Sequence, residues 1–70
     1  MTLEEIENLQ HNLTTTKEAF IYGLHLAITA PTEQQSVAAT AICEQLAQVM
    51  TALDVRLCQN IVDKAHANAI

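Results

Sequence analysis

The sequence predicts an all-α fold, an antiparallel helical hairpin that dimerises into a four-helix bundle. Three observations lead there. Half of the 70 residues are hydrophobic, and they recur at helical spacing. Gly and Pro occur once each, as Gly23 and Pro31, whereas a sandwich or barrel needs a turn signal every ~8–12 residues. The one strong breaker, Ala30–Pro31, divides the chain into two helical segments. The length fits a single domain, residues 1–70.

The first helix is expected over residues 3–29. Thr2 and Glu5 form a T-x-x-E capping box, in which each side chain satisfies the other's free amide. Glu4, Glu5 and Glu7 then sit where the helix dipole favours negative charge. Leu3, Ile6, Leu9, Leu13, Phe20, Leu24 and Ala27 make one apolar stripe. The run Thr14–Thr16 is weak helix, because each β-branched side chain loses χ1 freedom there. Thr15 with Glu18 repeats the capping pattern, so a split near Thr14–Thr16 competes with one continuous helix. The stripe keeps its phase through the threonines, which favours the continuous one.

The turn falls at about residues 30–32. Thr32 caps the second helix with Gln35 in the box position, and this helix is expected over residues 33–67. Its stripe is Ala39, Ile42, Leu46, Val49, Leu53, Leu57, Ile61 and Ala65; Gln34, Gln45, Gln48, Arg56, Gln59 and Asp63 take the solvent side. Residues 68–70 are expected to fray.

Two helices cannot enclose a core. Around residues 19–30 the first helix is apolar on nearly every side, so something must cover it on every side. No disulfide framework or metal cluster is present to staple so small a chain, which leaves a second copy of itself. Ala19, Gly23 and Ala27, four apart, offer a close-packing face, and Ala38, Ala39 and Ala41 are the small residues expected opposite. Glycine inside a helix costs about 1 kcal/mol, which close approach would offset.

Net charge −5 with only Lys17, Arg56 and Lys64 as basic residues excludes a phosphate-binding footprint, so neither nucleic acid nor an anionic membrane is an expected partner. No apolar run reaches the ~20 residues of a membrane span, and the acidic start does not resemble a signal peptide. The expected location is the cytoplasm. Cys43 and Cys58 would lie about 22 Å apart on one helix and so stay unpaired.

Candidate sites are few. His11 and His25 would lie about 21 Å apart, and no spacing among His11, His25 and His66 suits a metal ion. The lone Ser36 has no nucleophile elbow around it. No cofactor, metal or catalytic residue is assigned, and the chain is not expected to be an enzyme. The leading expectation is a small non-catalytic protein-binding, regulatory or co-chaperone-like homodimer. Phe20, Tyr22, Leu26 and Met50 are its candidate interface anchors. An alternative uses Glu4, Glu5, Glu7 and Glu18 as an acidic face that blocks a basic, nucleic-acid-binding partner. A weaker alternative is a thiol- or metal-dependent sensor.

Overall fold

Four threonines punctuate the chain. Thr2, Thr15, Thr32 and Thr51 each stand in extended backbone and accept, through the side chain, the amide three residues on. Each therefore satisfies an amide that the first helical turn leaves free. Four helices follow: α1 Leu3–Asn8, α2 Thr16–Thr29, α3 Glu33–Ala47 and α4 Ala52–Ala67, with a 3-10 turn at Leu9–His11 after α1. The computed structural model describes residues 1–68. The expected fraying of residues 69 and 70 lies outside that range.

The continuous first helix is corrected: it breaks between His11 and Thr16. Asn12 leaves helical backbone at φ −157° and ψ 63°. Thr14 and Thr15 hydroxyls both donate to the Glu18 carboxylate, so the threonine run caps α2 instead of continuing α1. Leu13, placed in the apolar stripe by the sequence, lies exposed in the link.

The second helix is also not continuous. It stops at Ala47 and restarts at Ala52. The Val49 and Met50 amides donate to the Leu46 and Ala47 carbonyls, which tightens the end of α3. Thr51 then caps α4 by accepting the Asp54 amide at 3.1 Å. An unbroken helix over 33–67 would be about 52 Å long. The longest dimension of the molecule is 32 Å.

Folding back lets one chain build its own core, so the simple two-helix hairpin is replaced by four helices. Ile6 and Leu9 from the N-terminal arm meet Phe20 and Ile21 of α2, Cys43 of α3, and Cys58, Val62 and Ala65 of α4. Helix α2 lies at the centre. Successive residues turn by about 100° around it, so its neighbours can be read in order. Gly23 and Ala27 face α3; Lys17 and His25 meet α4; His25 and Tyr22 meet the N-terminal arm. Much of the apolar character of residues 19–30 thus has a cause inside the chain, while Leu26 and Ile28 stay exposed. No helix among the described residues is long and apolar enough to cross a membrane.

The break has a second effect. Ile42, Val49, Leu53 and Leu57, expected in the stripe against the first helix, are 55%, 77%, 66% and 49% exposed. A stripe drawn for one straight helix loses its phase at the turn, so Val49, Leu53 and Leu57 fall on outer flanks; Ile42 precedes the turn and is exposed because α3 directs Ala39 and Cys43 toward α2 instead.

Candidate functional site

Two features stand out, one on the surface and one inside. The surface feature is a groove between α3 and α4. Both helices pack on α2 and scarcely touch one another. Phe20 and Leu24 of α2 floor the groove; Thr40, Glu44 and Ala47 form one wall, Val55 and Gln59 the other. Toward the far end of α2 it continues over Leu24, Ile28, Gln59, Val62 and Asp63. On the α3 side it passes across Thr40 and Glu44 to Val37 and Ala41. The hollows along α2 measure about 220 and 270 Å³. Both are smaller than the ~300–1,000 Å³ of a small-molecule site. They match side chains seated in a row. The floor is apolar and the rim polar, as in protein interfaces.

The internal feature joins three helices. His25 of α2 is 5% exposed, and its Nδ1 lies 3.1 Å from Nε2 of His66 on α4. Its other nitrogen, Nε2, faces the Glu7 carboxylate of α1 at 3.9 Å. Burial, reinforced by the neighbouring His66, holds the His25 pKa below that of a free imidazole, and Glu7 opposes this in part. No single helix carries this cluster. His25 and His66 stand 41 residues apart, and only the turn at Thr51 brings them together.

The remaining sequence candidates are placed as follows. Phe20 is 2% exposed; it belongs to the core and forms part of the groove floor. Tyr22 and Met50 are half-buried against the core; the Tyr22 hydroxyl donates to the Gln10 side-chain oxygen at 3.2 Å. Leu26 is exposed, on a side of α2 away from the groove. Gly23 meets α3 closely: a Cβ there would lie 2.7 Å from Cys43 Sγ. Ala19 and Ala27 beside it are half-buried. Of the small residues expected opposite, Ala39 is buried, but Ala38 and Ala41 point outward.

Three of the four acidic-face residues are occupied locally. Glu5 completes the Thr2 box, and the Thr2 backbone amide, then its side chain, hold the Glu5 carboxyl below its usual range. Thr14, then Thr15, do the same for Glu18. Glu7 faces His25, while Glu4 is exposed. The Ser36 hydroxyl donates to the Ala27 carbonyl at 2.6 Å, a structural task that ties α3 to α2. Cys43 and Cys58 are free and buried, and their thiols point at the Phe20 and Lys17 carbonyls. Burial pushes both thiols up, so they stay protonated at neutral pH. His11 is exposed and apart from the other histidines' contact; its Nε2 lies 3.2 Å from the Gln10 side-chain amide. Among the described residues no group of three or more His, Cys, Asp or Glu is placed to hold a metal ion.

The chain matches no protein-family model, no curated protein and no solved structure.

Proposed function

We propose that this chain is a non-catalytic protein-binding module that works as a homodimer, with the α3–α4 groove and its α3 lip as the contact. The observation that carries this reading is the groove itself. Two helices lean on a third without meeting, and the apolar strip between them continues onto exposed Ile28 and Val37, which are 59% and 61% exposed. Grooves of this kind take the apolar face of a helix. A second copy is the occupant proposed, because a two-fold contact needs one patch that is both lip and groove. Here α3 supplies the groove wall through Thr40 and Glu44 and the lip through Val37 and Ala41. The shallow hollows and the engaged Ser36, Cys43 and Cys58 side chains support a binding role over a catalytic one. The same reading keeps the chain in the cytoplasm, where its two free thiols remain reduced.

Substituting Ile28→Glu together with Val37→Glu tests the surface without touching the core. The double variant should keep its helical circular dichroism and run as a monomer, while the unmodified chain runs at twice the chain mass. An unmodified chain that is monomeric at every concentration, or a double variant that still dimerises, would overturn the proposal.

A further inference from the structure

We infer that Glu7, His25 and His66 form a proton-controlled latch, closed at neutral pH, that fastens α1 and α4 to α2 and opens when both imidazoles carry a proton. The inference is independent of what occupies the groove. The Nε2 of His25 faces a carboxylate, so that nitrogen carries the hydrogen. Its Nδ1 is then the acceptor, and His66 Nε2–H donates to it across 3.1 Å. In this arrangement one hydrogen bond joins the neutral pair and Glu7 attracts the Nε2 hydrogen from 3.9 Å; among the described residues no buried side-chain nitrogen or oxygen lacks a partner.

One proton can enter without breaking the pair. It adds at Nδ1, the other nitrogen of His66, and the hydrogen between His25 Nδ1 and His66 Nε2 stays shared by the pair. A second proton has no such solution. Two N–H groups would then point at each other, on two like charges, where a single hydrogen fits now. The groups that face His25 are His66 from α4, Glu7 from α1, and on α2 itself the Tyr22 ring, with centroids 6.2 Å apart. Helix α3 packs on the opposite side of α2, where Gly23 stands close to Cys43. Glu7 can compensate one positive charge and not two. The contact that fails joins the last turn of α4 to the central helix.

The sign of the pH effect follows. A buried imidazole that resists protonation leaves the folded chain with fewer protons than the unfolded one. Stability from this group is complete above about pH 6.5 and is lost as pH falls through the folded His25 value.

The test follows both histidine rings by NMR in the full chain from about pH 8 to pH 4.5, with amide exchange of α4 and thermal midpoints alongside. The two rings should titrate in two coupled steps, and α4 amides should lose protection in the second. The thermal midpoint should drop by about 5 °C or more between pH 7.5 and pH 5. His66→Gln keeps a donor for His25 but cannot take the proton, so it should remove the second step and leave only the smaller drop that burial of His25 causes by itself. His11→Gln should leave it unchanged. Independent single titrations with α4 protection intact, or a drop just as large in His66→Gln, would overturn the latch. The ring titrations decide the matter even if a variant fails to fold.

Discussion

Replacing Gly23 with alanine sets two effects of similar size against each other. In an ordinary helix interior the exchange stabilises by about 1 kcal/mol, since alanine has less backbone entropy to lose. At this position the added Cβ would lie 2.7 Å from Cys43 Sγ and 4.0 Å from the Ala39 carbonyl oxygen. The sulfur is one bond from its own Cβ, is buried, and points at the Phe20 carbonyl at 3.9 Å. Relief therefore requires Cys43 to rotate off that contact or α3 to move away from α2. Overpacking of this kind costs about 1–3 kcal/mol. The expected net is a loss of about 1 kcal/mol, read as a midpoint lower by ~4–8 °C. Cys43→Ala removes the sulfur, and in that background Gly23→Ala should stabilise by up to about 1 kcal/mol. Urea unfolding of the four proteins, followed by circular dichroism, gives the coupling directly, about 1–3 kcal/mol. Equal stabilisation in both backgrounds would show that α2 and α3 do not approach so closely at Gly23.

Two further perturbations test the parts of the fold that the sequence reading placed differently. Thr51→Ala removes the cap that starts α4 and should cost about 1 kcal/mol in the same unfolding assay; no change would mean that the turn before α4 does not depend on the cap. Ile6→Ala should cost about 2–5 kcal/mol, because Ile6 is fully buried and its loss leaves a cavity beneath α1. A loss under about 1 kcal/mol would show that the N-terminal arm is not docked on α2.

The sequence is most legible where the physics is local. The threonine caps at Thr2, Thr15 and Thr32 can be read directly, because a cap needs only residues three positions apart. Thr51 with Asp54 is the same signal with an acid of one fewer carbon, and it marks the second break just as plainly. One long helix ignores that signal, and the misplaced flanks of Leu53 and Leu57 follow from it, whereas the exposure of Ile42, which lies before the break, depends on how α3 crosses α2. Gly23 is visible as an unexplained cost inside a helix, but its neighbour Cys43 depends on how α3 crosses α2. The His25–His66 contact could not be read from spacing, because it exists only once α4 has folded back. The groove was hidden for the same reason: a straight hairpin presses its two helices together and leaves no space between them.

The apolar half of the composition now divides into a core closed within one chain and a strip that a second copy is proposed to cover. Sedimentation of the unmodified chain across a dilution series, with circular dichroism on the same samples, tests that division most directly. The expected result is a dimer at high concentration that dissociates on dilution into monomers of undiminished helix content. A monomer throughout would contradict the proposed contact, and helix lost in step with dissociation would contradict a core that one chain closes by itself.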